Sequence, residues 1–154
     1  MWVFGKEIYD GMDARNPPSL SIDRGMSLHK MIKFLSYALG GEGYLGFMGN
    51  EFGHPEWIDF PREGNGFSHK YCRRQWSLCR PELRYYQLLQ FEKAMHALDD
   101  KYSFLAGGHE YVTLMHEGDK LIVFEKGPLL FIFNFHYSKS FEHYRIGTLW
   151  PKEH

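Results

Sequence analysis

Apolar positions recur at helical spacing between Asp23 and Leu39, where Leu28, Met31, Ile32, Leu35 and Leu39 share one face and Lys30 and Lys33 lie opposite. Asp23 reads as the N-cap, and Gly40-Gly41 as the stop. The pattern then changes. Tyr44-Leu45-Gly46-Phe47-Met48 is a continuous apolar run without polar alternation, so Gly43 to Met48 is predicted to be a strand buried on both faces. Helix, glycine pair and buried strand make one αβ step of a parallel sheet. A second stripe, Leu88, Phe91, Met95, Leu98 and Tyr102, predicts a helix opened by Arg80-Pro81, with Pro81 at its first position. After Gly107-Gly108 the period shortens to that of strands. Tyr111 to Met115, Leu121 to Phe124 and Leu129 to Phe133 are predicted strands, and a fourth runs from Phe141 to Ile146. Turns are expected at His116-Glu117-Gly118-Asp119 and Lys126-Gly127-Pro128. The change from αβα to consecutive antiparallel strands marks a domain boundary near Ala106.

Before Asp23 the chain is irregular, punctuated by Gly5, Gly11 and Asn16-Pro17-Pro18, with Trp2, Phe4 and Tyr9 as anchors of an ordered loop. Glu63 to Ser68 is a glycine-rich turn connector, and Tyr71 to Trp76 a short helix or turn. The 154 residues and 44% apolar content suit a globular chain with a core. Aromatic residues reach 18%, which packing alone accounts for, as would a surface that stacks on sugar rings. A net charge of −1 supplies no field for nucleic acid or an anionic membrane, and no stretch has the length of a membrane span. No signal peptide is evident at the N-terminus. Cys72 and Cys79 are too few for a disulfide framework, which points to a reducing compartment. The nine histidines show no HxxH or HExxH spacing, so no metal site is expected. His29, at the edge of the first stripe, reads as a packing histidine.

Chemistry concentrates where the apolar run ends. Gly49-Asn50-Glu51-Phe52-Gly53-His54-Pro55-Glu56-Trp57 can be neither strand nor helix, and it crowds an amide, an imidazole, two carboxylates and two aromatics into one loop. A loop at the end of a buried strand is where α/β enzymes present groups to a ligand. Glu51, Glu56 and Asp59 are the nearest carboxylates. A retaining glycosidase needs two carboxyl groups about 5–5.5 Å apart. Barrel enzymes draw them from different strands, and one strand end cannot supply both. The sequence therefore contains no complete catalytic site.

FMGNEFGHPEW followed by DFPREGN resembles the last barrel strand and following loop of the eukaryotic-type glycogen or starch branching enzymes, members of the α-amylase superfamily. Asp23-Arg24-Gly25 with Leu28-His29-Lys30-Met31, then Arg73-Arg74-Gln75-Trp76, then Phe131-Ile132-Phe133-Asn134-Phe135-His136, follow in the family's order, from about Trp2 to Gly147. The resemblance implies a fold that is α/β plus all-β. Residues 1–105 would be the last part of a (β/α)8 barrel with strand eight and its final helices, and 106–154 the start of a C-terminal antiparallel β-sandwich. It implies transfer of an α-1,4-glucan chain to a 6-hydroxyl to form an α-1,6 branch, with no metal or organic cofactor.

The family's catalytic carboxylates follow barrel strands four, five and seven, so the resemblance places all three before Met1 and assigns no catalytic residue here. It puts Asn50, Glu51, His54, Trp57, Asp59, Phe60 and Arg62 along a glucan groove. Trp57 and Phe60 would stack, and the others would meet hydroxyls or hold the loop by pairing among themselves. Arg73-Arg74 is expected to pair with nearby acids. The partners implied are an α-glucan and the N-terminal part of the barrel, and the compartment the cytoplasm, or the plastid in a plant or alga. The initial Met and the divergent Thr148 to His154 also suit a short, non-catalytic glucan-binding or regulatory remnant. Taken alone, the 154 residues are expected to be inactive and loosely folded or aggregating, because a partial barrel leaves edges and apolar faces open.

Overall fold

The computed structural model describes residues 11–17, 19–108 and 110–149, so Trp2, Phe4 and Tyr9 lie outside the described residues. Helix α1 spans Leu20–Leu39 and α2 spans Tyr85–Tyr102; strands β1 (Tyr111–His116), β2 (Leu121–Lys126) and β3 (Leu129–Asn134) follow. The chain divides into two compact units. One comprises residues up to Lys33 together with Leu45–Ala97, the other Phe34–Tyr44 together with residues from Leu98 onward.

In the first unit, Met12, Ile22, Met26, Phe52, Tyr85 and Leu88 form the core, with Leu78, Cys79, Leu83 and Leu89 packed on it. α1 starts three residues before the expected cap. Ser19 takes that place: its carbonyl accepts from the Asp23 N–H at 2.9 Å, and its Oγ lies 3.5 Å from the Ile22 N–H. Asp23 falls in the first turn, where a carboxylate is favourable, and Arg84 reaches it at 3.2 Å. α2 starts at Tyr85 rather than at Pro81. The preceding backbone is committed elsewhere, Arg84 N–H to the Met12 carbonyl and the Glu82 carbonyl to the Ala14 N–H, while buried Arg84 also donates Nε to the Gly11 carbonyl.

The face that α1 buries differs from the predicted one. Leu28, Ile32 and Leu39 are 43%, 50% and 37% exposed, whereas Ile22, Met26, Tyr37 and Ala38 are buried. Continuing that buried face, His29 is half-buried and Lys33 pairs with Glu92 at 2.6 Å while donating to the Asn50 carbonyl at 2.7 Å. Polar residues that are paired and buried break a purely hydrophobic count, so the buried face of α1 lies to one side of its apolar stripe.

Gly43 to Met48 forms no strand. Leu45 is 94% exposed and Phe47 52%. An apolar run favours burial but cannot satisfy its own backbone, and among the described residues no neighbouring strand pairs with it.

The second unit holds the sheet, antiparallel in the order β1-β2-β3, with a bulge between Val112 and Leu114. All three strands fall where the alternation predicted them. The fourth, Phe141 to Ile146, is irregular; Tyr144 instead donates its hydroxyl to Asp119 at 2.9 Å. Phe34 meets Phe131 and Phe133 edge-on, and Tyr37 and Phe104 complete an aromatic core with Phe124. Lys126 pairs with Leu129 across the two-residue Gly127-Pro128 turn, in which Gly127 takes a φ of +55°. A Cβ on Gly127 would meet the Phe104 Cα at 3.2 Å, and one on Gly107 would meet the Gly127 Cα at 2.8 Å.

Lys126, on the central strand, is 1% exposed. Its ammonium donates to the Ala38 carbonyl at 2.9 Å, the Gly41 carbonyl at 2.8 Å and Glu110 Oε1 at 2.7 Å. Three donors meet three acceptors, at a helix C-terminus where a cation is favourable.

Two outcomes follow from this packing. Lys126→Met is expected to cost about 2–4 kcal/mol by chemical denaturation, since it strands two carbonyls and a carboxylate. The second concerns His29. Burial, reinforced by Lys33 and opposed by Glu92, lowers its pKa below the ordinary value. The unfolded chain then takes up the proton first as pH falls, so folding stability drops below about pH 6.5. His29→Gln should flatten that loss in melts compared at about pH 7.5 and about pH 5.

Candidate functional site

The loop 49–57 is held by its own backbone before any side chain contributes. The Gly49 carbonyl accepts from the Phe52 and His54 N–H groups at 3.3 and 2.9 Å, and Asn50 N–H returns to Phe47. Gly49 has a φ of +90°, and a Cβ there would fall 2.5 Å from the His54 Cβ, so glycine is what lets the imidazole tuck against the turn. Phe52, fully buried, pins the loop to the core and touches both the His54 and Trp76 rings.

The predicted residues separate into two groups. His54 and Trp57 line one cavity of about 720 Å³, together with Glu56, Lys70, Tyr71, Arg73, Arg74, Gln75, Trp76 and Ser77. His54 is 9% exposed; its Nδ1 lies 2.9 Å from the Glu56 carbonyl, and its Nε2 is buried with no partner among the described residues. Trp57 is 81% exposed. Glu51 does not line the cavity but pairs with Arg74 at 2.8 Å, as expected for this arginine, and the Arg74 guanidinium lies 5.2 Å from the Trp76 ring centre. Arg73 has no partner among the described residues.

Asp59 and Arg62 form a second cluster. Arg62 Nε donates to Asp59 at 3.0 Å, and the Asn65 amide donates to Asp59 Oδ2 and to the Phe60 carbonyl, each at 3.0 Å. Asn65 Oδ1 accepts from the Arg62 and Ser68 N–H groups. The Arg62 hydrogen bond first, then that of Asn65, holds the Asp59 carboxyl below its usual range. Asp59 and Asn65 thus spend their bonding capacity on the turn itself, while exposed Arg62 commits its Nε to it. Phe60, half-exposed, meets Phe47, and the main-chain carbonyl of Asn50 accepts from the Lys33 ammonium. Sequence reasoning passed over Asn65, Tyr71 and Trp76 as site residues. The turn-forming Asn-Gly at 65–66 and the Arg-x-Trp spacing at 74–76 were the available signals.

Cys72 and Cys79 are free thiols. No group of three His, Cys, Asp or Glu among the described residues could hold a metal ion, and no helix among them is long and apolar enough to cross a membrane.

Comparison with known proteins places this geometry in a family setting. Residues 111–154 match the family described as alpha amylase, C-terminal all-beta domain. The chain is 54% identical over 150 residues to a 1,4-alpha-glucan-branching enzyme of Solanum tuberosum, covering 97% of this chain and 17% of that protein. It is 55% identical over 148 residues to one of Dictyostelium discoideum (96% and 22%). To a chloroplastic/amyloplastic one of Oryza sativa subsp. japonica it is 53% identical over 150 residues (97% and 18%). The resemblance carried by the motifs thus holds along nearly the whole chain, which spans about a fifth of the length of these curated relatives.

Gly49→Ala is expected to expel His54 from its pocket, because the left-handed backbone and the 2.5 Å approach act together. The imidazole resonances of His54 in an NMR spectrum would shift toward those of an exposed histidine.

Proposed function

We propose, on the premise that the chain is a branching-enzyme sequence of the α-amylase superfamily, that it is the C-terminal stretch of a protein that forms α-1,6 branches in glycogen or starch. The observation that carries this is the collinear identity of 50–55% over 96–97% of the chain. In this reading residues 1–105 end a (β/α)8 catalytic barrel and 106–154 begin the C-terminal β-sandwich. The reaction exchanges one α-1,4 bond for one α-1,6 bond. A carboxylate outside this chain would attack the anomeric carbon and expel the 4-oxygen of the downstream glucan, which takes a proton from a second carboxyl. The 6-hydroxyl of an acceptor chain would then take over the held segment, returning its proton to that second carboxylate and freeing the nucleophile. No redox partner or metal is needed for that exchange. The protein works in the cytoplasm, or in the plastid of a plant or alga.

The open surfaces agree with this. Leu28, Ile32, Leu45 and Phe47 are exposed, and the unpaired run 43–48 has the composition of a strand paired on both sides. The covering partner would be the preceding barrel segments of the same polypeptide. Asn50, Glu51, His54, Trp57, Asp59, Phe60 and Arg62 would lie toward the glucan. His54 and Trp57 would meet it directly, while Asp59 and Arg62 shape the turn behind them.

The test is to isolate the native product with an antibody against residues 43–62 and assay it on amylose. The expected result is a protein several-fold heavier than 18.2 kDa that generates α-1,6 anomeric signals by proton NMR, while the 154-residue chain alone generates none. A heavy product that leaves amylose unbranched, or a native product of 18.2 kDa, would overturn the reading.

A further inference from the structure

We infer that Lys33 is the positioning residue of the loop 49–57: its ammonium fixes where the loop stands against the two helices and, through Glu51 and Arg74, where residues 70–77 stand against the loop. Its bearing on catalysis rests on the function proposed above, while the positioning comes from the geometry. The internal bonds of the loop set its shape and not its place, since the Gly49 carbonyl accepts from Phe52 and His54 within one turn. Phe52 adds burial, which is strong but non-directional. A directional tie is needed, and Lys33 supplies it by donating to the main-chain carbonyl of Asn50 at 2.7 Å.

The donor is itself immobilised. The side chains of Lys33 and Glu92 are each 9% exposed, and their charged ends meet at 2.6 Å. Glu92 also faces His96, one turn along α2, at 3.4 Å. The Lys30 ammonium lies 5.8 Å from the centre of the Phe91 ring, a second contact between the same two helices. Lysine is ordinarily a flexible, hydrated cation, and burying an ion pair gains little net stability. What the pair supplies here is position: it carries the placement of α2 to one peptide group. That peptide group leads directly into Glu51, whose carboxylate takes Arg74 at 2.8 Å. The Arg74 guanidinium in turn lies 5.2 Å from the Trp76 ring centre. His54 and Trp57 on one side, and Arg74 and Trp76 on the other, line the same cavity. A shift at the Asn50 carbonyl therefore moves both walls.

The experiment compares the native-length polypeptide with its Lys33→Met and Glu92→Gln variants, by hydrogen exchange of backbone amides and by amylose-branching kinetics. The Phe52 and His54 amides should exchange roughly tenfold faster in Lys33→Met and roughly threefold faster in Glu92→Gln, which keeps the lysine and only loosens it. Amides in the middle of α1 and α2 should keep the parent's rates. KM for amylose should rise roughly threefold to tenfold in Lys33→Met with kcat nearly unchanged, because a displaced binding surface loses ground-state and transition-state contacts alike. A lysine that only stabilised the fold would instead lower the folded fraction, and with it the apparent kcat, at the parent's KM; that result would overturn the proposal. Parental exchange at Phe52 and His54 in both variants would overturn it too. Where Lys33→Met does not fold, Glu92→Gln decides by the same two readouts. Where the parent leaves amylose unbranched, the function proposed above falls, and exchange at Phe52 and His54 alone upholds or overturns the positioning.

Discussion

A single ammonium group decides how the second unit is put together. Lys126 is carried into the interior by the central strand, where an unmet charge would be prohibitive. It is tolerated because α1 ends within reach and offers the carbonyls of Ala38 and Gly41, and Glu110 supplies the countercharge. The three bonds cannot form unless the helix end, the strand and the segment before β1 are all in place. They therefore set the position at which Phe34 and Tyr37 meet Phe131, Phe133 and Phe104. The aromatic packing supplies most of the burial, but it is non-directional; the lysine gives it a register.

The first unit uses the same device less deeply. Lys33 links Glu92 of α2 to the Asn50 carbonyl, so one side chain joins both helices to the loop that carries the candidate site. Arg84 fastens the segment around Gly11 and Met12. His54 is thus placed by a rigid turn, a buried phenylalanine and a lysine-held carbonyl, none of which touches the proposed ligand. Across the cavity from this loop lie residues 70–77.

The strands of the second unit were legible because alternation and turn residues act over a few positions. Tyr111 to Phe133 folded where the period changed, and Gly127-Pro128 turned where glycine was needed. The stretch 43–48 misled for the opposite reason: a strand is a relation between segments, and composition records only a preference for burial. α1 was legible as a helix but not in orientation, because its inner face includes His29 and Lys33. At the candidate site, the density of polar and aromatic residues marked the loop 49–57, of which His54, Glu56 and Trp57 line the cavity. Which of them face a cavity depended on Asn65 capturing Asp59 and Arg74 capturing Glu51, pairings that join residues too far apart for any local pattern.

The turn at Gly127 lies against main chain rather than side chains. Its neighbours are the Phe104 Cα and, through Gly107, another glycine backbone. Side-chain repacking relieves an ordinary collision, so damage there scales with the size of the new residue. Here the first added carbon already meets atoms that cannot rotate away. Even alanine at Gly107 would consequently force the main chain apart, and at Gly127 it would also have to hold a left-handed backbone, so the smallest substitution is already felt at both.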